Sequence, residues 1–206
     1  MNRIFIEANR AKTPECCFLE TIMKSEFSDK SYEFICMDGV ANLFNQANLN
    51  KIKIAAVEGD NVIVILDADT QDKKWGFAAR KADVEGKMHE HGVDFPLFLY
   101  PNNHDDGDFE TLLESLARKD LHQEWWDCFS DYEICVSGVC DEHGNPKYEI
   151  PNHKAKLHTF ISSQHLSNLV RKKIGSGRWL FDDSNYWDLT RDYLRPLLDF
   201  LRNNLQ

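Results

Sequence analysis

The sequence predicts an α/β fold in which a parallel sheet is covered by helices on both faces. Three observations carry this. The strand candidates are short, continuous apolar runs rather than alternating ones, as strands buried on both faces require. They alternate with amphipathic stretches of helical period. Several runs end in a carboxylate, at the edge of a parallel sheet where ligands bind.

The first strand is RIFIE (3–7), and Thr13, Pro14 and Glu15 follow as an N-cap, a proline in the first turn and a first-turn acid. The helix they start carries Cys17, Phe18, Ile22 and Met23 on one face and breaks at SEFSDKS. YEFICM (32–37) is a second buried strand, Gly39 opens the next turn, and a helix is expected over roughly residues 40–48. NVIVILDAD (61–69) is the most strand-like stretch, and its apolar run Val62–Leu66 marks a central strand. A helix is expected over residues 72–91, then a fourth strand, FPLFLYP (95–101), closed by proline. HDDGDFETLLESLARKD (104–120) starts a helix with Asp108 as N-cap and a face of Leu112, Leu113 and Leu116. Three further helices follow, interrupted by DEHGNPK and GSGRWLFDDS. The expected organisation is an α/β core over 1–120 with a helical C-terminal elaboration, 121–206, packed on it.

With 206 residues, 42% hydrophobic and 28% charged, the chain can bury a sizeable core. The start lacks the apolar segment of a signal peptide and no run is long enough to span a bilayer, so a cytoplasmic protein with no membrane partner is expected. Six cysteines without CxxC spacing read as buried free thiols rather than a zinc or redox site. The net charge of −10 argues against non-specific coating of nucleic acid. It conceals an asymmetry: twelve acidic residues against Arg118 and Lys119 between 105 and 142, and seven basic residues against Glu149 alone between 147 and 178. The second segment leaves a polyanion partner open; the alternative is that both segments are solvated helix faces.

Glu7 ends the first strand, and Asp67 and Asp69 end the central one. Residues two apart in a strand project to one face, so the aspartates are expected to share the crevice above the sheet and hold a hard, oxygen-liganded cation such as Mg²⁺ or Mn²⁺. Glu7 beside them suits a general acid/base or a further ligand. The expected rim is Asp72, Asn102, Asn103, Asp106 and Glu110, with helix capping the alternative for Asp106 and its neighbour Asp108. Lys154, Lys156, Arg171, Lys172, Lys173 and Arg178 are the candidate phosphate contacts. Other motifs carry less. His89 and His91 lie about 200° apart on a helix. No GxxxxGK[ST] loop is present, and no cysteine has the local signature of a nucleophile. The tryptophans read as core.

The order RIFIEANRAKTPECCFLETIM, MDGV, VIVILDADT and FPLFLYPNN followed by DGDFETLLESL resembles the TOPRIM domain of topoisomerases, primases and OLD-type nucleases, and more closely a TOPRIM-like family of uncharacterised bacterial proteins. The resemblance spans about residues 1–120. It implies acid/base or metal-binding work for Glu7, Mg²⁺ held by Asp67 and Asp69, and a metal-dependent phosphodiesterase or nuclease acting on DNA or RNA. Two positions depart from that pattern: Ala8 stands where glycine usually follows the glutamate, and Gln71 where a third acid of a DxDxD motif would be. Together with the acidic surface, Ala8 favours the alternative, a non-catalytic TOPRIM-like scaffold or regulatory module, such as an accessory in defence against foreign nucleic acid.

Overall fold

A computed structural model describes all residues, 1–206. Four strands, β1 (Asn2–Ile6), β2 (Tyr32–Cys36), β3 (Asn61–Asp67) and β4 (Leu97–Tyr100), form one parallel sheet in the order β2-β1-β3-β4. Side chains alternate across it. Ile4, Ile6, Ile63, Ile65, Phe98 and Tyr100 face one core, whereas Phe5, Val64, Leu66 and Leu99 face the other. Both faces are therefore apolar, which is why the strands read as continuous runs.

The helices are α1 (Pro14–Glu26), α2 (Gln46–Glu58), α3 (Phe77–His91), α4 (Phe109–Leu116), α5 (Gln123–Ser137), α6 (His153–Ser162), α7 (Asn168–Gly175) and α8 (Arg195–Asn204). The smaller core lies under α2 and α3. The larger one joins α1 and α4 to Trp126, Leu157, Phe160, Trp179, Trp187 and Leu201 of the C-terminal part. Buried aromatic contacts such as Phe18–Phe181 and Phe160–Trp187 tie that part to α1 and together. At the amino ends of the strands, buried Asn2 donates to the carbonyls of Ser31 and Gln206, and its Oδ1 accepts from Asn61 and the Gln206 N–H.

Local chemistry explains the boundaries. Thr13 caps α1 through the Cys16 N–H with Pro14 in the first turn, as its sequence predicts. Asp108 caps α4 reciprocally with Thr111. The helix expected over 40–48 lies later: only a single 3₁₀ turn forms at Val40–Asn42, and Asn45 caps α2, which then runs on through KIKIAAVE to Gly59. The helix expected from residue 72 starts at Phe77, because Gly76 adopts φ 126° and Asp106 accepts the Phe77 N–H at 2.7 Å. A Cβ at Gly76 would lie 2.7 Å from the Asp106 carboxylate, so only glycine fits. The basic stretch expected as one helix is divided into α6 and α7, and Ser167 caps the second. Burial of the thiols holds for Cys16 and Cys17 only; Cys128, Cys135 and Cys140 are free and exposed on α5 and the segment after it. No helix is long and apolar enough to cross a membrane.

Candidate functional site

At the carboxyl ends of β1 and β3 lies an open pocket of about 300 Å³, walled by Glu7, Glu15, Asp67, Glu110 and Lys154. The parallel sheet brings Glu7 and Asp67 together, since their strands are neighbours. The Asp67 N–H donates to Glu7 Oε1 at 2.9 Å, and Asp67 Oδ1 accepts the Phe109 N–H at the start of α4 at 2.8 Å. Each carboxylate thus has one oxygen anchored by backbone and one left for the pocket.

Glu15 and Glu110 reach the same pocket from the first turns of α1 and α4. Four carboxyls so close, and partly out of water, resist ionisation. Burial raises Asp67 well above the carboxylate range, and the charges of Glu7, Glu15 and Glu110 add to it. Glu15 is pushed up to about 8 by burial and then by Glu7 and Glu110. Burial also raises Glu7 and Glu110, opposed at Glu7 by the Asp67 N–H bond and at Glu110 by Lys154, whose Nζ stands 3.8 Å from it. Beneath them the Tyr100 hydroxyl is wholly buried without a hydrogen-bond partner; burial first, then the charges of Glu15 and Asp67, hold it as a phenol.

Asp69 lies elsewhere. The alternation that would align it with Asp67 ends with β3 at Asp67, and Asp69 takes φ 60° and bridges to Gly107. Its carboxylate is held by the buried Arg80 at 2.6 Å and by Lys73 at 2.9 Å, with the Arg80 guanidinium stacked 3.9 Å over Trp75. Among the expected rim residues, Glu110 lines the pocket. Asp72 is exposed and bonds Thr70. Asn102 accepts the N–H groups of His104 and Asp105, Asn103 accepts the Leu99 N–H, and Asp106 caps α3.

The candidate phosphate contacts also divide. Lys154 stands at the pocket. Lys156 pairs with Glu133 at 3.1 Å and lies over Trp126, and Arg171 donates to the carbonyls of Ser162, Gln164 and Leu166. Lys172 is exposed, and Lys173 and Arg178 border a separate pocket of about 590 Å³ with Lys24 of α1. Sequence reasoning missed Glu15 and Tyr100. Glu15 read only as a favourable first-turn charge, and nothing in FPLFLYP distinguishes a tyrosine under an acidic pocket from a core aromatic.

The oxygen donors at the pocket suit a hard cation chemically, and Glu7 and Asp67 each keep one oxygen free for it. No group of three or more acidic, histidine or cysteine side chains is gathered closely enough to hold a metal ion. A family match decides the kinship of the chain: residues 13–206 fit DUF3226, a family described as proteins of unknown function. The chain belongs to the DUF3226 family. The match includes Glu15, Asp67 and Glu110 and begins after Glu7. No curated protein and no solved structure matches the chain.

Proposed function

We propose that this DUF3226 protein is a metal-dependent phosphodiesterase acting on nucleic acid. The observation that carries the reading is the carboxylate pocket, in which four acids from β1, α1, β3 and α4 converge with their proton affinities raised. Perturbed carboxyls converging at the end of a parallel sheet are what acid/base chemistry at a charged substrate requires.

Glu7 and Asp67, through their free oxygens, are the residues to hold Mg²⁺ or Mn²⁺. When bound, such an ion neutralises charge building on a phosphate. Glu15 keeps its proton at neutral pH and is suited to hand it to a leaving oxygen, while Glu110, the remaining carboxyl of the pocket, accepts one from the attacking water. Lys154 offsets the negative charge that would otherwise repel a phosphodiester.

The test is calorimetric titration of Mg²⁺ and Mn²⁺ into wild type, Glu7→Gln and Asp67→Asn, with cleavage of single-stranded and duplex DNA and RNA followed in parallel. Binding and cleavage lost together in the variants support the reading, and a wild type that binds neither ion refutes it. One observation favours a second reading, a non-catalytic scaffold or regulatory module: Asp69 is already neutralised by Arg80 and Lys73 and is not free for an ion. A wild type that binds neither ion and cleaves no nucleic acid would select it.

A further inference from the structure

The cations of this acidic chain are mostly engaged. Arg3 pairs with Asp60 and Glu58, Arg80 with Asp69, Lys156 with Glu133 and Arg118 with Asp120. Ten exposed cations form no ion pair. Arg171 is bonded to backbone carbonyls, Lys51 and Lys53 lie on α2, Lys74 precedes α3 and Lys147 follows α5. The other five lie in two segments: Arg10 and Lys12 in the loop between β1 and α1, and Lys172, Lys173 and Arg178 at the end of α7 and just past it.

The fold joins those segments. Gly177, at φ 87°, packs its backbone against Lys12 and Thr13 so closely that a Cβ there would lie 2.8 Å from the Thr13 carbonyl carbon. Arg10 and Lys12 share a pocket of about 400 Å³ with Gly175 and Ser176. Arg178 reaches the Cys17 thiol on α1, and with Lys173 it borders the neighbouring pocket with Lys24. One end of the ridge is continuous with the carboxylate pocket, because Ala8, Asn9, Thr13 and Pro14 of the same loop form that pocket's wall. Unpaired like charges repel, at a cost set by the Coulomb energy in high dielectric, and in a chain of net charge −10 carboxylates to quench them are plentiful. A surface that keeps such a cluster free is suited to phosphate groups.

We propose that Arg10, Lys12, Lys172, Lys173 and Arg178 form a ridge that binds the phosphate backbone of a single nucleic-acid strand and leads it to the carboxylate pocket. The proposal rests on the phosphodiesterase reading for the destination of the strand, and binding itself requires neither ion nor cleavage. A single strand fits better than a duplex, because the mouth it leads to is a 300 Å³ pocket, room for about one nucleotide.

The experiment is fluorescence anisotropy of a dye-labelled single strand of about 12 nucleotides in EDTA, titrated at several salt concentrations. Wild type is compared with Arg10→Ala/Lys12→Ala, with Lys172→Ala/Lys173→Ala and with Lys51→Ala/Lys53→Ala on α2 as a control, all checked for folding by circular dichroism. Each ridge pair is expected to weaken binding about tenfold near 0.1 M salt and to lower the slope of log K against log salt by about 1.4, at roughly 0.7 for each phosphate no longer neutralised. The control is expected to bind as wild type does. Ridge variants indistinguishable from the control, or a wild type that does not bind at low salt, would overturn the proposal, as would competition by inorganic tripolyphosphate or by duplex as effective as by the unlabelled strand. Cleavage with Mg²⁺ is scored separately: binding without cleavage sinks the phosphodiesterase and spares the ridge, and cleavage with unchanged KM in the ridge variants does the reverse.

Discussion

Protonation of His153 should make the stability of this protein peak on the acid side of neutrality. His153, the first residue of α6, sits between the carboxylates of Glu114 and Asp108, both on the α4 segment, in close contact with the first and 3.9 Å from the second. Hydrogen bonds to Asp108 and then Glu114 raise it from 6.5 to about 9. Below pH 6.5 His153 is protonated whether the chain is folded or unfolded, and its contribution is complete. Between 6.5 and 9 the unfolded chain sheds the proton that the native state keeps, so stability falls with pH, and above 9 the contribution is gone. The full displacement would correspond to about 3.4 kcal/mol at about 1.4 kcal/mol per pH unit, but the ring is 41% exposed and solvent screening leaves about 1–1.5 kcal/mol. On the acid side His153 draws Glu114 down to about 2, and it and Thr111 draw Asp108 to about 2 against the opposing effect of burial. The contribution of this triad should therefore also decline as pH falls below about 4.5 and is greatest near pH 5–6.5, superposed on the fall with rising pH that the raised carboxyls of Glu7, Glu15, Asp67 and Glu110 impose through neutrality. Urea unfolding of wild type and His153→Gln, followed by tryptophan fluorescence at about pH 6 and about pH 9.5, isolates the histidine: the variant's alkaline decline should be smaller by a midpoint difference of about 0.5 M, with an m-value of about 2.5 kcal/mol/M. The decline due to Glu15 and its neighbours is common to both proteins and cancels in this comparison. A variant that retains the full alkaline decline would refute the assignment to His153.

Three further outcomes are expected. Arg80→Ala strands the Asp69 carboxylate beside a vacated buried site, and a loss of about 3 kcal/mol should lower Tm by about 6–12 °C; a melt within about 2 °C of wild type would show that Asp69 finds water at no cost. Tyr100→Phe removes a hydroxyl without a partner and should be neutral or stabilising by up to about 1 kcal/mol, whereas a clear loss in thermal unfolding would reveal a partner for the hydroxyl. Gly177→Ala forces a Cβ against the Lys12–Pro14 backbone at a positive φ and should cost about 1–3 kcal/mol by urea unfolding, with an unchanged midpoint counting against the close seat of that loop.

What was legible in the sequence follows from range. Continuous apolar strands, Thr13 with Pro14 and Asp108 with Thr111 are local signals, and they placed the parallel sheet and the starts of α1 and α4. Glu7 and Asp67 were legible because both sit where a strand ends. Asp69 was not, because its orientation depends on where β3 stops and on an arginine eleven residues away in α3. Glu15 escaped notice because its role depends on α1 and α4 converging over the sheet, a tertiary fact. The basic stretch likewise mixed tasks that only packing separates: Arg171 caps carbonyls and Lys156 pairs with Glu133, whereas Lys172 and Lys173 stay free.

The clasp of Asn2 with Asn61 and Gln206 has a practical side. It gathers residues 1–2 and 204–206 at the amino edge of the sheet, with the strands between them and the carboxylate pocket. A dye or surface tether attached at either extremity would sit remote from the pocket mouth, so the protein can be immobilised in one orientation with that mouth facing the bulk solution.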